Sequence, residues 1–130
     1  MIWRSRGYGE GRLERLFGLY SRKAELAAVL SLVILLAHWS FLLWFSVSRL
    51  GTLKFLRLHY TAALGVDWID SWWKIFVFPG FGLATFLVNA VLSGRLARSH
   101  RLFGLVIMWT TVFLEMVFAV GGVMAVLLNG

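Results

Sequence analysis

The sequence contains no cysteine, one proline and few charged residues for its length. The lack of cysteine excludes disulfide bonds, iron–sulfur clusters and thiolate zinc sites. Charged residues make up 15% of the 130 positions, whereas a soluble domain contains about 25%. Hydrophobic residues make up 60%, and so short a chain has too little interior to hide them from water. The composition therefore predicts a membrane protein.

Three long runs that carry at most one charge predict helices that span the membrane. A helix needs about 20 apolar residues to cross the hydrocarbon core of a bilayer. In lipid such a segment has to be helical, because every backbone N–H and C=O must be bonded within it. We therefore predict an all-α membrane protein with three transmembrane helices. The predicted segments are a cytoplasmic tail with an amphipathic helix at 1–25, transmembrane helices at 26–48, 75–94 and 102–130, an outer loop at 49–74 and a cytoplasmic turn at 95–101.

Lysine and arginine are distributed unevenly around these runs. Six precede the first run, four lie in the first loop, three lie in the second loop and none follows the third run. Basic residues favour the cytoplasmic side of a membrane. We therefore predict a multi-pass protein of the bacterial inner (plasma) membrane, with its N-terminus in the cytoplasm and its C-terminus outside. Topology and anionic lipid headgroups then explain the net charge of +7 better than nucleic-acid binding does.

The segment before the first run has the pattern of an amphipathic helix. Leu13, Leu16, Phe17 and Tyr20 recur at helical spacing, with charged residues between them. The simpler interpretation is an interfacial helix that lies on the cytoplasmic leaflet. The alternative is a docking helix for a protein partner.

A few polar residues inside the predicted spans form the first group of candidate functional residues. They are His38, Thr85, Asn89, Thr111 and Glu115. An ionised carboxylate at mid-membrane costs at least ~2.5 kcal/mol and is usually paired or functional. At ~1.5 Å per residue, His38, Thr85 and Glu115 come at similar depths, so one polar side chain from each helix is expected to meet the others.

Small and polar residues also form stripes on the second and third spans. The second span carries Gly82, Thr85, Asn89 and Ser93, and the third carries Gly104, Thr111, Glu115 and Gly122. Membrane helices use such stripes as interfaces, so we expect the two to face each other, with Leu, Val and Phe turned to lipid. Glu115 is then either a neutral, hydrogen-bonded acid that holds the helices together, a proton or ion relay with His38, or a contact to a partner subunit.

The predicted outer loop holds the second group of candidate residues. We expect Gly65, Asp67 and Asp70 to mark a turn or the start of the second span, where the helix dipole favours acids. One histidine, His59, and two carboxylates are adequate metal ligands in chemical terms. However, they lack a diagnostic metal-site spacing, so no metal and no cofactor are predicted.

Several residues of this loop also follow a known pattern. They are His59-Tyr60-Thr61, Gly65, Asp67, Ser71 and Pro79. This set resembles the short motif of a widespread bacterial membrane domain of unknown function, which is shared with the sporulation-delay toxin-immunity proteins. Arg57 and Thr61 stand where that motif has proline and asparagine. The chain is also similar to small three-span proteins of reduced-genome bacteria. The resemblance implies an outer-loop motif and toxin immunity as one alternative, and it supplies no catalytic residue.

Enzyme signatures are absent from the sequence. It has no nucleophile elbow, P-loop, dinucleotide-binding glycine pattern or zinc-protease helix. The leading prediction is a non-catalytic accessory or structural component of a membrane assembly, formed with copies of itself or with a partner membrane protein. The alternatives are a toxin-immunity or envelope-sensing protein that uses the outer loop, and an oligomeric ion or proton conductor that uses Glu115.

Overall fold

A computed structural model describes residues 21–49 and 55–129. In chain order its elements are helix α1 (Arg22–Ser48), strand β1 (Phe55–Thr61), strand β2 (Gly65–Ser71), a 3-10 helix (Trp72–Phe76), helix α2 (Val77–Ala97) and helix α3 (Arg101–Leu127). Three helical segments are each long and apolar enough to cross a membrane. They are α1, α3, and the segment formed by the 3-10 helix and α2. The prediction of three such helices is confirmed. Positions 12–20 of the predicted amphipathic helix lie outside the described residues.

The helices extend past the charge-free runs that predicted them. Helix α1 begins four residues before Leu26, because the Ser21 side chain caps it by accepting a hydrogen bond from the Ala24 N–H at 3.2 Å. Helix α2 continues to Ala97, three residues beyond the predicted end of the second span. A charged residue marks where a helix leaves the hydrocarbon, but it does not end the helix.

Helix α3 is the centre of the bundle. It packs along both α1 and α2, which touch each other only sparsely. A first apolar cluster joins the three helices, and its buried members are Ala24, Ala27, Ala28, Phe86, Met108 and Val112. The three alanines let the helix backbones approach closely, as packing in lipid requires. Most large side chains on the outer faces are exposed Leu, Val and Phe, as expected for surfaces in contact with lipid.

The segment between α1 and α2 contains an antiparallel β-hairpin, which the all-helical prediction did not include. Residues 62–64 form its turn, and Gly65 closes the turn with a φ of 75°. A three-residue hairpin loop needs a left-handed residue at this point, and glycine adopts that conformation without strain. Asp67 and Asp70, expected in a turn or at a helix start, therefore lie within β2.

The hairpin is attached to the helices on one face and at one edge. Leu56 and Leu58 of β1 are buried in a second apolar cluster, which also contains Leu42, Phe45, Ile75 and Ala125. At the edge of β1, the Asn129 side chain accepts a hydrogen bond from the Arg57 N–H at 2.9 Å and donates one to the Arg57 C=O at 2.7 Å. It also donates to the Ala125 C=O at 2.7 Å. We call this set of bonds the Asn129 clamp.

The two ends of the bundle differ in charge. The end that carries the hairpin is called the hairpin end, and its described basic residues are Arg49, Arg57 and Lys74. The opposite end is called the arginine-bearing end, and it carries Arg22, Lys23, Arg95, Arg98 and Arg101. Glu25 is the one acid among the described residues of the arginine-bearing end.

Candidate functional site

Glu115 lies in the middle of α3, where all three helices meet. Its side chain is fully buried. The carboxyl group rests on Gly82 of α2, where an added Cβ would come within 2.5 Å of Oε2. The same Cβ would lie 3.1 Å from a methyl carbon of Leu35 in α1. The missing side chain at Gly82 therefore forms the recess that holds the carboxyl group between the helices.

His38 occupies a similar recess between α1 and α3. Its ring is 4% exposed and rests on Gly122, with Nε2 directed at the glycine. Gly122 lies seven residues, roughly two turns, beyond Glu115 on α3. At ~1.5 Å per residue, the two recesses are about 10 Å apart along that helix. His38 and Glu115 share no hydrogen bond.

The interface between α2 and α3 contains hydrogen bonds between the predicted stripes. The Asn89 amide donates to the Thr111 hydroxyl at 3.0 Å, and that hydroxyl donates to the Ile107 C=O at 2.9 Å. Ser93 donates to the Gly104 C=O at 2.8 Å, closer to the arginine-bearing end. Together with the contact between Gly82 and Glu115, these bonds bring three residues of each stripe together, whereas Gly122 packs against His38 of α1. We call this interface the α2–α3 seam.

The hydrogen bonds expected of the buried ionisable groups are missing. Among the described residues, neither carboxyl oxygen of Glu115 and neither ring nitrogen of His38 has a hydrogen-bond partner, and the Ser31 hydroxyl in α1 has none either. At Glu115 the carboxyl group lies against Gly82, which has no side chain with which to bond it. Thr85 is half-buried one turn from Gly82 and does not join the group. Of the five residues expected to cluster, Asn89 and Thr111 are bonded to each other, whereas Glu115 and His38 have no hydrogen bond among the described residues.

The outer-loop residues take up simpler positions. Asp70 accepts a hydrogen bond from the Ser71 N–H at 2.7 Å and forms an ion pair with Lys74, so it stabilises the start of the 3-10 helix. Pro79 is buried in the first turn of α2, where its missing N–H costs little. The side chains of His59, Tyr60 and Asp67 lie outside what the structure describes. Within the described part of the chain, no group of three His, Asp or Glu could hold a metal ion.

Sequence reasoning did not single out Ser31, which the fold buries, or Asn129, which it bonds to β1. Ser31 is buried at 0% exposure on the inner face of α1. A lone serine in an apolar run gives no signal of this kind, because serine is common in membrane helices. Asn129 carries the clamp described above, and an isolated asparagine after a span likewise has no pattern that predicts a strand contact 72 residues away.

The chain was compared with protein-family models, with curated proteins and with solved structures, and none of the three comparisons finds a match. The resemblance to the toxin-immunity domain therefore stays a prediction that rests on the loop residues alone.

Proposed function

We propose that this chain is a non-catalytic component of a membrane assembly, formed with copies of itself or with a partner membrane protein, and that the hairpin is its contact surface. The observation that carries the proposal is the attachment of the hairpin to the bundle. Two buried leucines hold one face, and the Asn129 clamp holds one edge. An unattached loop would have to lose conformational freedom on binding, whereas this hairpin is ordered beforehand.

The exposed side chains of this region support the same proposal. Leu64 at the tip is 79% exposed, and Phe55 and Ile69 are also largely exposed. Large apolar side chains grouped on a surface outside the spans mark a site of interaction. The Lys74 charge contributes less to binding at this surface, because its ammonium group is paired with Asp70. The hairpin thus offers an apolar surface on a rigid base.

We also propose an orientation for the assembly. The concentration of basic residues at the arginine-bearing end supports placing that end in the cytoplasm of a bacterial cell, with the hairpin outside the inner membrane. Anionic lipid headgroups are then the expected neighbours of the arginine-bearing end.

Site-specific crosslinking tests the contact surface. Because the sequence has no cysteine, a photoreactive maleimide can be attached at Leu64→Cys or Ile69→Cys without background labelling. Val33→Cys is the matched control, since Val33 is an exposed apolar residue on the outer face of α1. In native membranes we expect protein adducts of defined mass at both hairpin positions and lipid adducts at Val33. Protein adducts at Val33 with none on the hairpin would contradict the proposal.

The envelope-sensing alternative would use the same hairpin, and the loop resemblance favours it. Here the partner is a toxin from outside the membrane, so no subunit should co-purify in fixed ratio. A challenge assay in which His59→Ala and Asp67→Ala abolish protection would support it. Full protection by both variants would count against it.

Oligomeric ion or proton conduction through Glu115 is a further candidate. The buried Glu115 and His38 side chains have no hydrogen-bond partner among the described residues, which favours it, because intramembrane ionisable groups commonly serve proton relays. Reconstituted vesicles provide the test. Conduction predicts that the natural protein raises proton permeability and that Glu115→Gln abolishes the increase. Equal permeability of the two would rule it out.

A further inference from the structure

An open groove lies where the end of α3 meets the edge of β1. Its volume is about 420 Å³, within the range of ~300–1,000 Å³ that is usual for sites that bind small molecules. The described residues that line it are Phe55, Leu56, Arg57, Ile69, Leu128 and Asn129. Four of these side chains are apolar and one is a cation, so the groove suits a ligand that is both apolar and negatively charged.

The cation of the groove, the exposed Arg57 guanidinium group, has no partner among the described residues. The Asn129 clamp uses only the backbone N–H and C=O of Arg57. Asp70 is the one acid of the hairpin end whose side chain the structure describes, and it is paired with Lys74. A guanidinium group donates two parallel hydrogen bonds to the oxygens of a phosphate. Phosphate is therefore the negative group that fits this position.

The groove lies at the level of phospholipid headgroups when the bundle crosses a membrane. Helix α3 has 27 residues and is therefore ~40 Å long. The hydrocarbon core of a bilayer is ~30 Å thick, and the bilayer with its headgroup layers is ~40–45 Å thick. The two ends of α3 thus reach the headgroup layers. Leu128 and Asn129 follow its last residue directly, so the groove that they line lies in one of these layers.

An exposed apolar face of α3 leads from the hydrocarbon core to the groove. Val117, Val120 and Met124 are exposed at helical spacing on this face. Leu128, which lines the groove, lies one turn beyond Met124. A phospholipid whose acyl chains lie along this face has its phosphate close to Arg57. A soluble anion would gain nothing from the same face, so we commit to a lipid as the source of the phosphate.

The end of α3 also selects the kind of headgroup. The C-terminal end of a helix carries a partial negative charge, which disfavours a headgroup with a net negative charge and favours a cation. The C=O groups of Leu127 and Leu128 accept no hydrogen bond from a described residue, so they are open acceptors. An ammonium group has three N–H donors for such acceptors. A phosphate beside a primary ammonium group, as in phosphoethanolamine, matches both the guanidinium group and the helix end.

We propose that this groove binds a phospholipid with a phosphoethanolamine headgroup. Its phosphate accepts hydrogen bonds from the Arg57 guanidinium group, its ammonium group donates to the last C=O groups of α3, and its acyl chains lie on the exposed face of that helix. The site goes beyond the hairpin contact surface and stands whether or not a protein binds there. Arg57 precedes Leu64, at the hairpin tip, by seven residues.

Photolabelling of the full chain in phosphatidylcholine vesicles tests the proposal. Three lipid probes carry the same diazirine near the glycerol end of one acyl chain and differ only in the headgroup. One has phosphoethanolamine, one has phosphocholine, which has no N–H donor, and one is a diacylglycerol without phosphate. Mass spectrometry of peptides locates the adducts. Adducts at positions 55–57 and 128–129 report the groove, and adducts at the exposed Val33 of α1 give the general level of lipid contact.

A matched pair of variants tests the role of the guanidinium group. Arg57→Gln removes it and keeps the clamp, because the clamp bonds the backbone. Arg49→Gln is the control, since Arg49 is also a cation of the hairpin end but lies over the Phe45 ring and does not line the groove. The comparison of the three probes uses the natural protein, so it stands even if Arg57→Gln does not fold.

Relative to Val33, we expect the phosphoethanolamine probe to label the groove at least about fivefold more than the phosphate-free probe, and more than the phosphocholine probe. Arg57→Gln should remove this excess, and Arg49→Gln should keep it. Equal labelling by the phosphoethanolamine and phosphate-free probes, or an excess that survives Arg57→Gln, would overturn the proposal. Equal labelling by the phosphocholine probe would overturn the assigned headgroup. Loss of the excess in inorganic phosphate would show a site for a soluble anion instead of a lipid.

Discussion

Replacing Glu115 with methionine should stabilise the bundle. Both oxygens of this side chain are buried and unpaired among the described residues, and an unsatisfied buried polar group costs about 1–3 kcal/mol. Methionine has a similar length and helix propensity, and its flexible thioether can fill the space between Gly82 and Leu35. We expect Glu115→Met to raise the free energy of unfolding by about 1–2 kcal/mol, after some loss from imperfect packing.

The assay is reversible unfolding in mixed micelles, with the mole fraction of dodecyl sulfate as the denaturant and helix content read by circular dichroism. Glu115→Gln is the control, because its amide keeps the shape and the polarity of the carboxyl group. We expect its stability to stay within about 0.5 kcal/mol of the natural protein. A loss of 1 kcal/mol or more in Glu115→Met would refute the reasoning. It would show that Glu115 holds the helices together through a hydrogen bond.

Three further predictions concern close contacts. Gly82→Ala should lower the free energy of unfolding by about 1 kcal/mol, a modest cost because the carboxyl group beside it can rotate away. Gly80→Ala is its control and should leave that free energy undiminished, because there is open space at the Gly80 Cβ. Gly122→Ala should cost more, about 2–3 kcal/mol, because a buried imidazole ring cannot bend away. The micelle titration checks both. Asn129→Ala should speed amide hydrogen exchange at Arg57 at least about tenfold by removing the clamp, with little change in helix content; unchanged exchange would show that the clamp contributes nothing.

The spans and their inward faces could be predicted from the sequence, because the residue patterns that determine them are local and periodic. A charge-free run of about 20 residues has one stable conformation in lipid. Small and polar residues at helical spacing mark the face that packs, and the contacts of Asn89 with Thr111 and of Ser93 with Gly104 agree with that. Gly82 could be assigned to this face, although its role in making room for a carboxyl group could not.

The relative heights of the helices could not be predicted. The last charged residue of a run does not fix the height of its helix, because a helix such as α1 continues four residues beyond its run, to the Ser21 cap. The recesses of His38 and Glu115 lie about two turns, ~10 Å, apart along α3, an offset that such a count does not give. The hairpin was missed for a related reason. Its strands alternate only in part, and β1 contains an irregularity at Leu58 that breaks the pattern.

The Asn129 clamp also constrains the order in which the chain can reach its final form. It joins β1 to a residue 72 positions later, just after α3 ends. During synthesis the hairpin segment emerges long before that residue exists, and α1 and α2 have few contacts of their own with which to hold it. The clamp can therefore form only after α3 is in place. A truncated or misinserted chain would leave the Arg57 N–H and C=O at the edge of β1 without this partner, and an open strand edge can pair with other chains.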